Sequence, residues 1–491
     1  MPTPPNSLYR SLLLAAACAL FLAAACAEPE EDARAAWLRD TLVTDNQAQL
    51  ERSPELVAQK FALMASSPYR YMRGTAGVFW RDLLNPSPIY GAWIPVDVTG
   101  AATLLVGDPH PENVGTFRAA DDQLVLAFND YDSAIWGPFT GDVQRLVLGW
   151  QVAWLQAEPT ADGPTLDTFA IAVFEGYATR VAERASGATV ERVVESDVAG
   201  EIVADLFRRS RRDGDASEAL LEVVDTSDSG RRLRRGDIEA PVAAWFEDTL
   251  VDVTPAERTM VEAVIRGAEV PRDPIAALPE TGPVLDVVRR LGTGVSSYAL
   301  PRYYALVEGP TTAAADDRLL EMKETLDPPP IGPLVRYPEY PQTHHAARIV
   351  WAQDTLNPGP RLDPWAGASL QGAMSLRIRE RTSYQKGFDV VRLQERFQDG
   401  RWTVDDALRF AALTGWLLAE AHANSPPLAG REGFDVGALQ RSLQADDAER
   451  LLLQWADEAR ALLLGDHARF VELLQVHGPT LGYQSSHSRS R

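Results

Sequence analysis

The chain has 491 residues, of which 45% are hydrophobic, and its formal net charge is −22. A chain of this length exceeds one typical core, so we expect a two-lobed or two-domain body. The strong negative charge argues against a nucleic-acid partner, because the phosphate backbone would repel such a surface.

The first 26 residues have the features of an export signal. Arg10 precedes an apolar run over residues 12–25, which is too short for a comfortable membrane span. The residues before Cys26 resemble a bacterial lipobox, although the leucine lies one place too far upstream and ordinary cleavage nearby stays open. We expect an exported protein of the cell envelope or periplasm, whose only membrane attachment would be a lipid at Cys26. The other cysteine lies inside the signal, so the mature chain can form no internal disulfide.

Arg73 is the first candidate binding residue, and it lies beside Gly74. An arginine next to a glycine can present its planar guanidinium to a phosphate as a bidentate donor. A second interpretation is equally open. In it, Arg73 pairs with Asp82 or Asp108 and braces a neighbouring site.

Polar side chains follow two short apolar runs, residues 103–106 and 124–128, which have the pattern of buried strands. The first run leads into acids and amides over residues 107–113, and the second leads into Asn-Asp-Tyr-Asp at residues 129–132. Carboxylates that converge at strand ends repel one another unless a cation is bound. The pattern therefore predicts a hard-metal site, typical of Mg²⁺, built from carboxylate and amide oxygens.

Amphipathic patterns predict helices over residues 142–156 and 165–185, packed beneath these motifs. Asp142 would lie in the first turn of its helix, where a negative charge suits the helix dipole. A late helix over residues 403–424 carries His422, which we interpret as a buried structural histidine.

Two arginine clusters, residues 208–212 and 231–235, are conspicuous in so acidic a chain. They are either solvated faces paired with Asp213, Asp215 and Asp237, or a contact for an anionic substrate. The residues between them, 225–230, are predicted to form a loop.

A β-rich region follows, in which a strand, a turn with Gly292 and Gly294, and further strands are predicted. Glycines let backbone N–H groups approach phosphate oxygens, and Lys323 on the third strand can neutralise their charge. A plain hairpin is the alternative. Arg377, Arg379 and Arg381 alternate along a later strand and share one of its faces.

We therefore expect an α+β fold with a helix-rich large lobe and the following organisation. The predicted segments are a signal (1–26), a tether or helix (27–60), a helical lobe with the acidic motifs (61–275), a nucleotide-lobe-like β region (276–390), C-terminal helices (391–480) and a disordered tail (481–491).

Residues 107–113 and 129–132 resemble the paired catalytic motifs of the protein-kinase-like fold, in its aminoglycoside and choline phosphotransferase branch. The chain as a whole resembles the bacterial domain-of-unknown-function 2252 family (DUF2252). That likeness also rests on Ser-Pro-Tyr-Arg-Tyr-Met-Arg-Gly at residues 67–74 and on Leu-Ala-Glu-Ala-His-Ala at residues 418–423. In kinase-like enzymes the glycine loop and lysine precede the catalytic loop, so the order here would be permuted.

The kinase-like resemblance implies a role for each motif residue. Asp108 would accept the proton of the attacking hydroxyl, and His110 would brace the catalytic loop. Asn113 and Asp130 would hold Mg²⁺, with Asp132 as a further ligand or an orienting acid. Gly292, Gly294, Lys323 and Arg73 would then grip ATP or another nucleotide.

Three functions stay open from the sequence. The first is a Mg²⁺-dependent phosphotransferase that acts on a small-molecule or other acceptor. Because ATP is scarce outside the cytoplasm, the second is an exported, non-catalytic lipoprotein that binds a phosphorylated ligand. The third is a metallophosphoesterase, because Asp108-x-His110 can also begin a dinuclear site. Such a site needs further histidines, usually in a Gly-Asn-His tripeptide; this tripeptide does not occur, and the chain has seven histidines.

Overall fold

The fold is described from a computed structural model. It describes residues 32–84, 102–197, 200–215, 220, 223–227, 230–237, 249–271, 278–280, 282–328, 344–426, 435–444 and 447–484. The predicted signal with Cys26, most of the proline-rich stretch before His344, and most of the predicted tail lie outside these residues. Within the described part of the chain, no helix combines the length and apolar character needed to cross a membrane.

Helices make up the larger part of the described fold. The α-helices are α1 (Ala33–Asp45), α2 (Gln47–Arg52), α3 (Pro54–Ala65), α4 (Pro68–Gly74), α5 (Ala76–Leu83), α6 (Phe139–Ala157), α7 (Gly163–Ala185), α8 (Glu201–Asp215), α9 (Pro255–Arg266), α10 (His345–Leu356), α11 (Val390–Gln398), α12 (Val404–Ala423), α13 (Val436–Leu443) and α14 (Ala448–His477). The helices predicted at 142–156, 165–185 and 403–424 are confirmed as α6, α7 and α12, with ends that differ by at most three residues.

The strands form antiparallel sheets. They are β1 (Ala102–Leu105), β2 (Val114–Arg118), β3 (Leu124–Phe128), β4 (Ile135–Pro138), β5 (Val193–Val194), β6 (Val224–Ser227), β7 (Gly230–Leu233), β8 (Gly236–Asp237), β9 (Thr249–Asp252), β10 (Val284–Leu291), β11 (Arg302–Val307), β12 (Arg318–Thr325), β13 (Gly367–Gln371) and β14 (Met374–Glu380). The large sheet has the order β13-β14-β12-β11-β10-β9-β8, and the small sheets are β2-β3-β5, β1-β4 and β6-β7. The expected α+β class is therefore confirmed.

One predicted loop is wrong. Residues 225–230 belong largely to the hairpin β6–β7, in which Asp225 is paired in register with Arg232. The polar composition that suggested a loop is that of a hairpin with a solvated face, since Arg232 and Asp225 are exposed while Leu233 is buried. Opposite charges across an antiparallel pair stabilise such a hairpin.

The helical core depends on a close crossing of α7 and α12. A Cβ atom added to Gly176 would lie 1.9 Å from the carbonyl oxygen of Ala412, and one added to Gly415 would lie 2.1 Å from that of Val173. Only glycine fits at both places, because the two backbones touch directly. The crossing fixes α12 against the helices that support the acidic motifs.

One face of the large sheet is apolar, whereas the other face is charged near the acidic motifs and apolar further along, where Tyr304 and Leu319 pack with Leu233 of β7. Along β12, Leu320 and Met322 are buried against α9, while Glu321 and Lys323 point to the opposite side. The sheet is joined to the helical body by the connector, which we define as residues 381–389. Its backbone bonds to β2: Thr116 N donates to Lys386 O at 2.9 Å and Phe388 N donates to Val114 O at 3.0 Å. This pairing sets the charged face of the sheet opposite the acidic motifs.

Candidate functional site

The loop that carries Asp108 begins at a strained glycine. Gly107 has φ +89°, and a Cβ atom there would lie 2.0 Å from the carbonyl oxygen of Ser133. The carbonyl of Gly107 accepts a hydrogen bond of 2.8 Å from Trp80 Nε1. Glycine is therefore required both by the left-handed backbone and by the close approach of the second motif.

Asp142 holds the same loop from beneath. It is fully buried in the first turn of α6, and its Oδ2 accepts a hydrogen bond of 2.8 Å from Val106 N while its Oδ1 accepts one of 3.1 Å from Gly107 N. His422 Nε2 lies 3.2 Å from Asp142 Oδ2, and His422 Nδ1 lies 2.8 Å from the hydroxyl of Tyr177. These contacts are those of positioning residues, and His422 is fully buried, as the sequence indicated.

Asp108 is ion-paired, a feature that sequence reasoning missed. Its Oδ1 accepts a hydrogen bond of 2.8 Å from Nε of Arg145, a fully buried side chain on α6. Burial raises the pKa of Asp108 despite the opposing effect of Arg145, and the neighbouring carboxylate of Asp130 adds to the rise. Asn113 Nδ2 donates to the backbone carbonyl of Asp108 at 2.8 Å, so its amide oxygen is left for another partner.

His110 lies under the loop rather than at its surface. The ring is 2% exposed, and its Nδ1 lies 3.4 Å from the hydroxyl of Tyr69. Burial lowers the pKa of His110 well below its usual value, with Arg73 and Arg145 acting in the same direction. The imidazole is therefore neutral and packs as a support for the loop.

Asp130 and Asp132 have different surroundings. Asp130 Oδ1 accepts a hydrogen bond of 3.0 Å from the backbone N–H of Asp132, and its side chain faces the space between motif and sheet. Asp132 forms an ion pair with Lys323 and lies 3.7 Å from Arg377 Nη1. Burial alone would raise the pKa of Asp132, but Lys323 and Arg377 together hold it below its usual value.

The acidic motifs and the charged face of the sheet enclose a cavity of about 340 Å³, which we call the cationic cleft. Its described lining includes seven cationic side chains against two carboxylates. The cations are Arg73, Arg302, Lys323, Arg377, Arg379, Arg381 and Lys386, and the carboxylates are Glu112 and Asp130. Behind this lining, the carboxylates of Asp132, Asp213 and Glu321 are also paired with these cations, so the cations exceed all of these carboxylates by two. Such an excess in so acidic a protein is compatible with binding of an anion.

The structure brings most of the predicted site residues to this cleft. Arg73, Asn113, Asp130, Gly294 and Lys323 line it directly. Gly292 precedes Gly294 in the same turn, and both have positive φ, 75° and 80°. The three remaining candidates, Asp108, His110 and Asp132, are not among the lining residues.

Arg73 lines the cleft, but neither of its predicted bracing partners is correct. It is paired with Glu112, whose Oε1 accepts a hydrogen bond of 2.9 Å from Val390 N. Asp82 is instead held by Arg34 at 2.6 Å. Several acids lay within plausible reach of Arg73 in the sequence, and only the packing of α4 against the loop at residues 107–113 selects Glu112.

Glu321 and Arg302 are further site residues that sequence reasoning missed. Glu321 accepts hydrogen bonds from Arg302 Nη1 at 2.9 Å and from Arg379 Nε at 2.7 Å. Burial opposes ionisation, but the surrounding arginines, including Arg381, hold the pKa of Glu321 well below its usual value. The signal was present, because Glu321 precedes Lys323 by two residues and so shares its strand face.

The two arginine clusters lie outside the cleft. Arg209 is paired with Asp205 at 2.8 Å, and Arg231 is paired with Asp317 at 2.7 Å. The first interpretation, pairing with acids, therefore describes them, and of the partners we predicted Asp213 is used by Arg212 at 2.5 Å.

Comparison with protein families finds one match. Residues 52–473 match the family described as an uncharacterized protein conserved in bacteria (DUF2252). No curated protein and no solved structure matches the chain.

Proposed function

The chain belongs to the DUF2252 family, and for this member we propose a Mg²⁺-dependent phosphotransferase of kinase-like arrangement that binds ATP or another nucleotide. The observation that carries this proposal is the cationic cleft itself. Lys323 and Asp132 are 191 residues apart in the chain, yet they form an ion pair beside Asp130 and Asn113. Acids for a cation and cations for phosphates thus face each other, as phosphoryl transfer requires.

The order of elements in the sheet supports a kinase-like arrangement. In protein kinases a glycine-rich hairpin covers the phosphates, a lysine on the third strand contacts them, and a helix follows. Here β10 and β11 are joined through Gly292 and Gly294, β12 carries Lys323, and α10 comes next. Asp108 and Asn113 are also five residues apart, as are the aspartate and asparagine of the kinase catalytic loop.

The donor set is compatible with Mg²⁺. Mg²⁺ usually keeps several waters and is held by one or two carboxylates together with substrate phosphates. Asp130 and the amide oxygen of Asn113 supply such a minimal set, and both residues line the cleft. Asp132 would orient the site through Lys323 and Arg377 rather than bind the cation. Bound Mg²⁺ would supply charge neutralisation for the terminal phosphates.

In the proposed reaction, Arg145 holds Oδ1 of Asp108 and leaves Oδ2 for the acceptor hydroxyl. Burial raises the pKa of Asp108, and this direction favours acceptance of a proton. The hydroxyl oxygen bonds to the terminal phosphorus as its proton passes to Asp108, and the bond to the bridging oxygen breaks. Lys323 and Arg377 stabilise the charge that the departing nucleoside diphosphate gains.

A second function, an exported lipoprotein that binds a phosphorylated ligand without transfer, is favoured by one observation. Asp108 is not among the described residues that line the cleft, and one of its carboxylate oxygens already accepts a hydrogen bond from Arg145. The metallophosphoesterase gains no comparable support, since within the described residues no group of three or more His, Cys, Asp or Glu has an arrangement that could hold a metal ion.

Calorimetry with and without Mg²⁺ tests the proposal. We expect ATP binding that requires Mg²⁺ and that weakens by about 100-fold or more in Asp130→Asn. The matched control is Asp405→Asn, which removes an exposed carboxylate on α12. Unchanged binding in Asp130→Asn would count heavily against the assigned ligand.

Turnover separates the two functions. For a phosphotransferase, Asp108→Asn should abolish release of ADP while the affinity for ATP stays within about threefold. Binding without turnover in the wild-type protein, across a panel of hydroxyl acceptors, would favour the second function. The absence of binding heat with ATP, ADP and GTP would rule out the nucleotide-dependent phosphotransferase.

A further inference from the structure

The cationic face of the sheet has an unusual register. Arg302 on β11 is paired with Lys323 on β12, and Lys323 is in turn paired with Arg377 on β14. Cross-strand partners on one face have Cβ atoms about 5 Å apart, and like charges at that distance destabilise a sheet. Three cations in one row therefore oppose folding unless anions lie over them.

The carboxylates of the protein offset this row only in part. Glu321 is shared between Arg302 and Arg379, and Asp132 is shared between Lys323 and Arg377. Each carboxylate thus serves two cations. The row consequently keeps a positive excess that runs across three neighbouring strands.

Two of the cleft arginines also carry buried N–H groups without an acceptor. Nε of Arg302 and Nε of Arg73 have no hydrogen-bond partner, and the Arg302 side chain is 9% exposed. Burial lowers the pKa of Arg302, and Arg290 and Arg379 add to this effect by repulsion. A buried guanidinium in this state is stabilised by an additional anion.

The cleft offers little to a nucleobase. Phe117 is the only large apolar side chain among its described lining residues, and the rest are charged, polar or glycine. Binding sites for planar, apolar groups are instead lined predominantly by hydrophobic and aromatic side chains. The lining therefore matches a chain of phosphates better than it matches a base.

We propose that the site recognises its donor through the phosphate chain, so that inorganic tripolyphosphate is as good a ligand as a nucleoside triphosphate. The inference rests on the proposed function and names the ligand class of the same cleft. Successive phosphates lie along the row formed by Arg302, Lys323 and Arg377, while the base, where there is one, stays outside. A linear polyphosphate then serves as donor without any nucleoside: the acceptor oxygen bonds to its terminal phosphorus, the acceptor's proton passes to Asp108, and the bond to the bridging oxygen breaks so that a polyphosphate one phosphate shorter leaves.

Titration calorimetry of the full chain with Mg²⁺ tests this directly and needs no variant. The titrants are tripolyphosphate, ATP, AMP and adenosine. We expect tripolyphosphate and ATP to bind within about threefold of each other, AMP to bind at least about 30-fold more weakly, and adenosine not to bind.

Other outcomes of this titration distinguish failure of the inference from failure of the proposed function. ATP binding more than about threefold tighter than tripolyphosphate would overturn the inference and leave the proposed function standing. Binding of tripolyphosphate without ATP would overturn the stated equality, because ATP carries the same phosphate chain, and would remove the nucleotide from the proposed function. Binding of neither would overturn both.

The charge row can be tested separately. Arg377→Gln should weaken the binding of tripolyphosphate and the binding of ATP by the same factor, about tenfold, because each ligand loses one phosphate contact. The matched control is Arg450→Gln, which removes an exposed arginine on α14. A loss confined to ATP would contradict recognition through the phosphates.

Discussion

Replacement of Asp142 by alanine should loosen the loop that carries Asp108 and destabilise the whole protein. The carboxylate is fully buried and accepts hydrogen bonds from the backbone N–H groups of Val106 and Gly107. Alanine leaves both donors, and the ring nitrogen of His422, without that acceptor. A buried donor that loses its partner retains the full cost of its desolvation.

The magnitude follows from the number of donors. Each hydrogen bond to a charged acceptor contributes about 1.5 to 3 kcal/mol, so the two lost backbone bonds correspond to about 3 to 6 kcal/mol. Asp142→Asn keeps one oxygen but places an amide N–H against a donor, and we expect it to lose about 1 to 2 kcal/mol. Both values are substantial fractions of the total stability of an ordinary domain, which is about 5 to 15 kcal/mol.

Urea unfolding followed by tryptophan fluorescence measures this loss of stability. Trp80 is buried against the loop, and Trp150 is buried on α6. The transition midpoint should fall while the slope with denaturant stays constant. Asp405→Ala is the control, since its carboxylate is 65% exposed, and we expect a change within about 0.5 kcal/mol. A loss below about 1 kcal/mol in Asp142→Ala would refute the assigned role of this carboxylate.

Three further predictions concern stability. Burial raises the pKa of Asp363 to about 6, so its stabilising contribution is full at pH 4 and is lost as the pH rises through 6. In Asp363→Asn, the unfolding free energy measured in urea should lack about 3 kcal/mol of that decline. Equal pH slopes of the unfolding free energy in the variant and the wild type would contradict this prediction. Burial lowers the pKa of Lys60 to about 8, so the unfolding free energy of the wild-type protein should rise by about 3 kcal/mol between pH 8 and 10.5. Lys60→Met should abolish this rise, and a rise that persists in the variant would contradict the prediction. Gly415→Ala should force α7 and α12 apart and lower the unfolding free energy by about 2 to 3 kcal/mol. Gly163 has open space around it, so Gly163→Ala should not lower the unfolding free energy in this way. Similar losses in both variants would contradict the close crossing of α7 and α12.

The local parts of the site could be predicted from the sequence. Asp108 and Asp130 follow short apolar strands, and this arrangement depends only on residues close in the chain. Arg377 and Arg379 were assigned to one face of a strand from the two-residue period, and both line the cleft. Such features are fixed by backbone geometry, which sequence patterns record.

The partners across the fold could not be predicted in the same way. Arg145 lies in an apolar stretch of α6, and a buried charge there must have a counter-charge, but nothing local indicates Asp108. The pairing of Arg73 with Glu112 was missed for the same reason. Several acids were available, and the choice between them depends on how α4 packs against the loop.

The separation of the two halves of the cleft has a consequence for biosynthesis. Asp132 precedes Lys323 by 191 residues, so at about 5 to 20 residues per second the ribosome needs roughly 10 to 40 seconds to supply the second partner. During that interval Asp132 lacks Lys323 and Arg377, and the nascent chain offers no complete cationic cleft to a phosphate compound. Such a compound acts only on finished polypeptides, and any rescue of a weakened variant by added ligand must therefore follow translation.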